Sequence, residues 1–522
     1  MKKYLFLAAS VLGTFSVINA QEITSADALR YATENLTGSA RFRGMSGAFG
    51  ALGGDISSIN VNPAGSAVFN FNSGTASLSS FNARNTADYF GSRASKNDNS
   101  IELNQIGAVF IFSNTSEEAS WKKIALAFNY DNTNNFDNSI FTQGVNPNNS
   151  VTNYFINRAN SENNGNAMPI GLMENANYGI SDQYAYLGSS FPNSQYPYIS
   201  GFDAQQSFLG YQAYLYDYDG VAGNYVSNVP QNSNFYQESV ITTRGYNGKL
   251  TGNLATQYKD VLYLGLNLNG HFTNYLKTSS VYEGYNGSND GLQGLRFDNE
   301  LYTYGAGFSF GLGAIVKITP ELRAGLAYES PTWYNLQDEL KQSVVSSCIG
   351  CNTGRPDDSA VFVDPGITNV YNDYNIKTPS KYTGSLAYVF GNSGLISVDY
   401  SVKDYSKTKF TSSSYGDLNQ QLSENLDVAG ELRVGAEYRI KQFSLRGGYR
   451  YEQSPYKNGS QLGDLNGFSG GFGIAFPNSR LDLAYSYFQR IMQSSLVSSG
   501  MTDMARVKNV NNNITISYTI DL

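Results

Sequence analysis

Apolar and polar residues alternate over many short segments of this chain. Residues 262–272 read LYLGLNLNGHF, so leucine or phenylalanine takes the even positions, except position 270, and mostly polar or small residues take the odd ones. Residues 322–328 and 431–440 follow the same rule. A period of two places successive side chains on opposite faces of a β-strand, so these segments predict strands with one apolar face. Alternation alone fits both a soluble β-sandwich and a membrane β-barrel.

Fourteen segments are predicted as strands, an even number as in single-chain bacterial barrels. They span residues 73–83, 101–113, 121–131, 238–257, 260–282, 298–317, 320–331, 380–391, 394–405, 429–440, 443–454, 466–476, 479–491 and 510–521. The last strand ends the chain with an apolar face, which suits an outer-membrane assembly signal. The pattern predicts an all-β fold, a transmembrane antiparallel β-barrel of about 14 strands.

The connections between these strands alternate in length. Tight turns are predicted at 319–320, 391–394, 441–442 and 477–479, whereas long connections are predicted at 84–100, 132–237, 283–297, 332–379, 406–428, 455–465 and 492–509. Outer-membrane barrels place long loops outside the cell and short turns in the periplasm, whereas a sandwich has no reason to sort its loops. We therefore expect a multi-pass protein of the cell outer membrane, with both termini periplasmic and a large extracellular loop at 132–237.

The N-terminal residues and the overall composition both indicate an exported β-rich protein. Residues 1–20 have a charged start at Lys2 and Lys3, an apolar run and a plausible cleavage site, so they predict a signal peptide. The 40 Tyr, 30 Phe and 52 Gly, with only 15% charged residues, indicate a β-rich chain. No later apolar run has the length of a membrane helix. The net charge of −8 argues against a nucleic-acid partner.

Residues 44–69 read neither as a helix nor as an ordinary strand. Their glycines and alanines let backbone approach backbone closely, and the run at 62–65 interrupts regular structure because Pro63 lacks an N–H group. We predict that residues 21–72 form a hatch inside a barrel of residues 73–522, with a Gly-rich surface loop as the alternative. The predicted hatch residues are Gly47, Gly50, Gly53, Gly54, Asp55, Asn62, Pro63, Ala64 and Gly65.

The chain has two cysteines, Cys348 and Cys351, separated by two residues. This spacing occurs in redox sites and in half of a zinc site, but no second pair or histidine cluster completes a metal shell. In an exported chain we favour a small disulfide at a loop tip, with a redox role as the alternative. We expect no metal.

Four segments together resemble the signatures of one family. They are residues 47–67, 325–332, 376–388 and 432–455. They are similar, in the same order, to the hatch and strand signatures of the FadL-type family of outer-membrane transporters for long-chain fatty acids and aromatic hydrocarbons. The resemblance covers about residues 38–83 and 238–522.

The resemblance implies a fourteen-stranded barrel closed from the periplasm by an N-terminal hatch. Asn62, Pro63 and Ala64 match the hatch signature. The family captures hydrophobic ligands at the extracellular end and passes them inward by diffusion. The insertion at 132–237 is larger than in the fatty-acid transporters, and the ligand-contact loops do not align, so the identity of the substrate does not carry over.

A tight turn at residues 441–442 predicts a charge ladder in the lumen, because it pairs residue 440 with residue 443. The ladder consists of Glu431, Arg433, Glu437, Arg446, Arg450 and Glu452. One interpretation is that these charges brace the barrel interior. The alternative is that the three arginines bind a ligand carboxylate.

We expect no enzyme activity and no cofactor. His271 is the only histidine, it lies on the polar face of its strand, and no serine elbow accompanies it. Some relatives are labelled haemin receptors, but this chain has no histidine pair for iron. A TonB-dependent receptor would need about 22 strands and is too large for this chain.

The sequence thus favours passive uptake of hydrophobic small molecules, such as long-chain fatty acids or hydrocarbons. The expected partners are a hydrophobic small-molecule ligand and outer-membrane lipid, with no nucleic acid, and the expected state is a monomer. The alternative is a barrel that acts as a docking or assembly partner for surface or secreted proteins.

Overall fold

The computed structural model describes residues 23–116, 118–174, 177–287, 290–351, 360–459 and 461–522. The predicted signal peptide at 1–20 lies outside these residues. The helices are α1 Ser25–Ala32, α2 Ala40–Gly44, α3 Asn153–Ser161, α4 Ile170–Met173, α5 Ile180–Ser190, α6 Gly201–Gln212 and α7 Gly416–Asn425, with short 3-10 helices at Ile56–Asn60, Pro63–Val68, Tyr405–Lys407 and Ser413–Tyr415. Among the described residues, none of the helices has the length and apolarity that a membrane crossing requires.

Strands make up most of the chain. They are β1 Ser73–Tyr89, β2 Ser92–Ser113, β3 Trp121–Asn135, β4 Asn138–Asn146, β5 Tyr216–Asp219, β6 Asn224–Ser227, β7 Phe235–Tyr258, β8 Leu262–Tyr285, β9 Gly291–Lys317, β10 Leu322–Glu329, β11 Trp333–Ile349, β12 Val361–Val363, β13 Asn369–Val370, β14 Tyr374–Lys377, β15 Lys381–Val389, β16 Gly394–Asp404, β17 Lys409–Phe410, β18 Val428–Ile440, β19 Phe443–Glu452, β20 Leu465–Phe476, β21 Ser479–Ser495 and β22 Met504–Asp521.

Fourteen of these strands close into one antiparallel barrel. Their order around the wall is β1, β2, β3, β7, β8, β9, β10, β15, β16, β18, β19, β20, β21 and β22. β22 pairs back onto β1, from Ser73 opposite Asp521 to Asp88 opposite Arg506. Closure removes the free edges that a membrane would leave without hydrogen bonds. The predicted fold class is confirmed.

The alternating pattern sorts side chains between the outer surface and the lumen. On β8, Leu264 and Leu268 are exposed on the outside, whereas Asn267, Asn269 and His271 are buried inside. A soluble sandwich would show the reverse, because its leucines would fill the core. The apolar outer surface and polar interior are those of a membrane barrel.

The two ends of the barrel differ. The short connections at 259–261, 318–321, 390–393, 441–442 and 477–478 lie at one end, called the turn end. Most long connections lie at the opposite end, called the loop end, where β4 extends the wall on β7 and β11 extends it on β9. This sorting agrees with the predicted alternation of connection lengths. The connection predicted at 283–297 is nevertheless short, because β8 ends at Tyr285 and β9 begins at Gly291.

The predicted long connection at 84–100 is wrong. β1 and β2 continue through this region as one hairpin, and their link is only Phe90-Gly91, where φ is 44° and 78°. Both residues therefore have the positive φ that a tight hairpin turn needs. The strands project into water at the loop end, so both of their faces are polar and the alternation used for prediction disappears.

The insertion predicted as one loop at 132–237 contains ordered structure. β3, β4 and β7 take its two ends, and residues 147–234, called the capping domain, carry α3 to α6 and the β5–β6 hairpin. Tyr154, Phe155 and Phe208 of this domain pack with barrel residues Phe297 and Val344 in one buried cluster. Residues 205–216 lie largely in α6.

The described N-terminal segment runs down through the lumen. Ser25 lies in the loop-end half, with its Oγ 3.3 Å from the hydroxyl of Tyr456, and the chain reaches the turn end where β1 begins. The backbone N–H of Leu522 donates to the carbonyl of Asn72 there, at 2.8 Å. The described chain therefore begins near the loop end, where α1 occupies lumen space, and ends at the turn end.

Candidate functional site

The predicted hatch residues lie inside the barrel, between α2 and β1. Gly47, Gly53 and Gly54 have φ of 76°, 62° and 67°, which are left-handed values that favour glycine. The N–H of Gly54 donates to the carbonyl of Gly65 at 3.1 Å, so distant parts of the segment are joined. The chain thereby folds into a compact unit, called the plug base, residues 37–69.

Asn62 and Pro63 connect the plug base to the barrel wall. The Asn62 Nδ2 donates to the carbonyl of Gly50 at 2.7 Å within the plug base and to that of Ala314 on β9 at 3.0 Å. The carbonyl of Pro63 accepts from the Asn253 Nδ2 on β7 at 2.9 Å. These hydrogen bonds give partners to backbone carbonyl groups of an irregular segment that cannot pair in a β-ladder. They also hold the plug base on two wall strands.

Two carboxylates complete the attachment. Asp55 caps a 3-10 helix by accepting from the N–H of Ser57 at 3.0 Å, and it accepts from the Ser39 Oγ at 2.8 Å. Asp399 on β16 accepts from the N–H of Gly50 at 3.0 Å. The plug base is therefore built by its own side chains and fixed by those of the wall.

Glycines of the wall face the plug base, a contact that was not predicted from the sequence. A Cβ atom on Gly313 of β9 would lie 2.0 Å from the Asn62 Oδ1, and one on Gly265 of β8 would lie 2.4 Å from the N atom of Ala64. Both glycines lie on the polar face of alternating strands. Small residues at the inward positions of these strands were therefore the sequence feature that could have predicted the contact with the plug base.

The predicted charge ladder lies on β18 and β19. Its facing pairs are Glu437 with Arg446, Arg433 with Arg450, and Glu431 with Glu452. Glu437 accepts from the Arg446 Nε at 2.6 Å and also from the Arg41 Nε of α2 at 2.9 Å. Arg41, which joins the plug base to the ladder, was not among the residues predicted from the sequence.

The upper part of the ladder is paired as well. Glu431 accepts from the Arg433 Nε at 2.5 Å and from the Arg450 Nε at 2.9 Å, and Arg450 also contacts Glu452. Arg446 pairs with Asp482 at 2.7 Å. Because each ladder arginine has a wall carboxylate, the geometry favours the bracing interpretation over binding of a ligand carboxylate.

A cavity of about 380 Å³ lies in the lumen between the capping domain and α1. Its volume is within the range of small-molecule sites, about 300–1,000 Å³. Most of its apolar lining comes from the capping domain, the loop-end halves of the strands and the connection at 496–503. These apolar residues are Tyr154, Phe202, Ile241, Phe297, Leu301, Leu340, Leu496, Val497 and Met504. We call this space the upper cavity.

Charged groups form the floor of the upper cavity. Asp27 and Arg30 of α1 pair with each other at 2.5 Å, and the Arg30 guanidinium stacks 3.8 Å above the ring of Tyr275. Lys277 of β8 also lines the cavity, and its ammonium has no ion pair within 4.0 Å among the described residues. The cavity thus combines an apolar body with one unpaired cation, a combination that suits an amphipathic ligand.

The wall ladder is interrupted between β2 and β3. Backbone pairing runs from Ser113 only to Gln105, so β2 has no β-ladder partner on this side from Ser92 to Asn104. Side chains bridge the interruption, including Asn135 Nδ2 to Ser100 Oγ at 2.8 Å. We call this interruption the wall gap. Lateral separation here would break side-chain bonds and no backbone ladder.

A cavity of about 30 Å³ lies directly behind the wall gap. Leu36, Phe81 and Phe488 supply apolar lining, and Ser100 and Asn135 of the gap supply polar lining. The cavity therefore places the N-terminal segment, through Leu36, next to the interruption in the wall.

His271 faces the lumen, as expected from its place on the polar face of an alternating strand. Its Nε2 lies 2.8 Å from the Ser309 Oγ, and both residues are buried. The Ser309 Oγ also accepts from the Asn269 Nδ2 at 3.0 Å. A buried serine that is already held in a hydrogen-bond network has no access to a substrate, so the pair fits a structural role.

Cys348 and Cys351 are joined in a disulfide at the end of β11. Both cysteines belong to the buried cluster beneath the capping domain. Within the described ranges, no group of three or more His, Cys, Asp or Glu residues could hold a metal ion.

A closed barrel with an apolar outer surface, a plugged polar lumen and a partly apolar cavity beneath its loops defines a channel-type protein of the outer membrane. The sequence model of the family described as "Outer membrane protein transport protein (OMPP1/FadL/TodX)" matches residues 224–519. This match covers more than half of the chain, and the chain belongs to this family. The predicted family is thereby confirmed.

Solved structures share the fold. A FadL homologue from Pseudomonas aeruginosa has a TM-score of 0.52 at 12% identity, over 94% of this chain and 99% of the other. A deltaS2 mutant of the TodX monoaromatic hydrocarbon channel has a TM-score of 0.50 at 13% identity, over 93% and 98%. At these identities the likeness shows the fold alone. A search of curated proteins gave no match.

The contact between wall glycines and the plug base predicts the effect of Gly313→Ala. The added Cβ would collide with Asn62 and displace the plug base, so we expect a severalfold rise in ion conductance across planar bilayers. Gly270→Ala is the control, because a Cβ there meets no atom within 4 Å. Equal conductance in both variants and the wild type would show that this contact does not close the lumen.

The buried ion pairs of Glu437 predict that replacement of this residue lowers the stability of the protein strongly. Glu437→Gln leaves Arg41 and Arg446 buried with a neutral amide, and breaking a buried pair costs about 3–5 kcal/mol. We expect a clearly lower thermal unfolding midpoint in detergent. Glu300→Gln removes the exposed pair with Lys341 and should cost at most about 1 kcal/mol. Similar midpoints for the two variants would contradict a bracing role.

Proposed function

We propose that this protein is a passive channel for uptake of hydrophobic small molecules across the outer membrane, with long-chain fatty acids or hydrocarbons as the expected class. The upper cavity carries the proposal. It offers a space of about 380 Å³ above the plug base with a mixed apolar and polar lining, in a chain that belongs to a family of outer-membrane transport proteins. The mechanism needs no cofactor and no catalytic group, because diffusion down a gradient supplies the driving force.

The proposed orientation follows from the two ends of the barrel. The loop end, with the capping domain, faces outward and the turn end faces the periplasm, as outer-membrane barrels arrange their connections. The C-terminus is then periplasmic. Apolar side chains on the outer surface contact outer-membrane lipid, and one closed barrel suffices as a monomer.

The proposed path begins in the upper cavity and leaves through the wall gap. Passage straight down would require removal of the plug base, which is bonded to β7, β9, β16 and β18. Passage sideways requires separation of β2 from β3 and β4 where only side chains connect them. The second route breaks side-chain interactions and no backbone ladder, and it delivers a hydrophobic ligand toward the apolar outer surface.

A docking or assembly role is the second candidate. The ordered capping domain and the ion-paired lower lumen favour it, because both resemble a rigid platform more than an open pore. The upper cavity and the wall gap favour transport. Loss of uptake without loss of any surface protein would support the first candidate.

Filling the upper cavity should block uptake. Leu340→Trp places a large ring in the cavity, so we expect at least a severalfold slower uptake of dodecanoate or toluene into proteoliposomes. Leu326→Trp is the matched control, because Leu326 is 70% exposed on the outer surface. If uptake through Leu340→Trp equals that of the control, the cavity is not on the path. If the wild type matches protein-free vesicles for a broad ligand panel, the transport proposal is wrong.

Linking the two sides of the wall gap should also block uptake. Ser100→Cys with Asn135→Cys, joined by a short bifunctional thiol reagent, would prevent β2 and β3 from separating. We expect ligand still to bind in the upper cavity but transfer to stop. The single-cysteine variants, treated with the same reagent, should transport normally. Unchanged transfer in the linked double variant would exclude this gap as the exit.

A further inference from the structure

Side chains on the outward face of β21, β22, β1 and β2 lie in rows, because the ladders place residues of the four strands directly opposite one another. Two mostly apolar rows contain Leu483, Ile516, Leu78 and Leu103, and then Tyr485, Ile514, Ser80 and Ile101. The next row toward the loop end contains Tyr487, Asn512, Asn82 and Asn99. A change from apolar side chains to tyrosine and amides marks the boundary between the membrane and water.

Cations occupy the three rows beyond this boundary. They are Arg84 of β1, Arg93 of β2, and Arg506 and Lys508 of β22, and all four are exposed. We call these four residues the basic surface. Asp88, which lies directly opposite both Arg93 and Arg506, is the only carboxylate in these rows.

One carboxylate cannot balance four cations. Asp88 accepts from the Arg93 Nε at 2.6 Å and lies 3.9 Å from the Arg506 Nη1. Among the described residues, no carboxylate lies within 4.0 Å of the Arg84 guanidinium or the Lys508 ammonium. The basic surface therefore carries an excess of positive charge in a chain whose net charge is −8.

The position of the basic surface fits the head group of a lipid. Four residues of a β-strand span about 13 Å, so Arg84 lies about 13 Å along β1 beyond Ser80, and less in height because barrel strands are tilted. Lipid phosphates lie in the polar layer directly above the hydrocarbon core. A guanidinium binds a phosphate through two parallel hydrogen bonds, and asparagine amides can bind the hydroxyl groups of a sugar.

We propose that the basic surface binds the phosphates of a phosphorylated glycolipid in the membrane leaflet at the loop end. The apolar rows contact its acyl chains, the amides bind its sugar hydroxyl groups and the cations pair with its phosphates. The bound lipid lies beside β1 and β22, where the two ends of the barrel wall meet. The inference rests on the proposed orientation, because the outward leaflet of an outer membrane holds such glycolipids. It does not involve the upper cavity, which lies on the other side of the wall.

The test compares lipid A with dephosphorylated lipid A, which has the same acyl chains and sugars. Native mass spectrometry of the purified full-length protein in detergent measures both affinities. Each basic side chain near an anionic lipid surface contributes roughly fivefold to binding. We therefore expect Arg84→Gln with Lys508→Gln to bind lipid A about 25-fold more weakly than the wild type. Dephosphorylated lipid A should bind both proteins equally. Equal binding of the two lipids to the wild type would contradict the proposal.

Lys341→Gln with Lys407→Gln is the matched control. It removes the same charge from other exposed positions, where Lys341 already pairs with Glu300 at 3.2 Å and Lys407 with Asp404 at 4.0 Å. The control should bind lipid A as the wild type does. If both double variants lose affinity equally, the effect is general electrostatics and the proposed site is wrong.

Thr86→Glu keeps the proposal testable if Arg84→Gln with Lys508→Gln does not fold. Thr86 lies directly opposite Lys508, so the new carboxylate neutralises the basic surface and must also weaken lipid A binding. Release of lipid A by a large molar excess of inorganic phosphate, or tighter binding of polyglutamate than of lipid A, would show that the surface is not a lipid site. Uptake into proteoliposomes should be unchanged in all these variants, so failure of the lipid site and failure of the uptake function give different results.

Discussion

The antiparallel ladder between β1 and β22 closes the wall, and the lumen exists because of that closure. Each backbone N–H and C=O group within a membrane needs a partner, and a closed ladder provides one without a free edge. A barrel of fourteen strands is also too wide for its own side chains to fill. The protein therefore has to supply a second body of chain inside the wall, and the N-terminal segment is that body.

The plug base fits because both surfaces lack side chains where they meet. Gly44 of the plug base approaches Gly471 of the wall closely enough that an added Cβ would lie 3.2 Å from its Cα. Ion pairs then hold the plug base in the position that this close approach allows. Arg41 and Arg446 share the carboxylate of Glu437, and removal of that carboxylate would leave the buried Arg41 without an ion-pair partner, whereas Arg446 would keep Asp482. The plug base therefore fills the lower lumen, and the upper cavity lies above it.

Prediction from sequence succeeded for the strands that cross the membrane, because lipid contact imposes a period of two on their apolar residues. The outward leucines of β8 and the tight turn after Ile440 follow from alternation and turn length, so strand number and register could be predicted. Prediction failed beyond the membrane. Polar residues at 84–100 looked like a loop because strands in water need no apolar face, and the helices of the capping domain carry weak amphipathic patterns. Arg41 was missed because its partner lies hundreds of residues away in the chain.

The amino-acid sequence by itself determined the class of fold, because lipid contact demands a period of two and closure demands paired strands. It also marked the plug through a density of glycine that no exposed strand requires. Only the tertiary structure decided which wall glycines meet the plug, where the ladder between β2 and β3 stops, and which cations share one outward face. These features depend on the tilt and stagger of strands that are distant in sequence, and local patterns carry no information about that geometry.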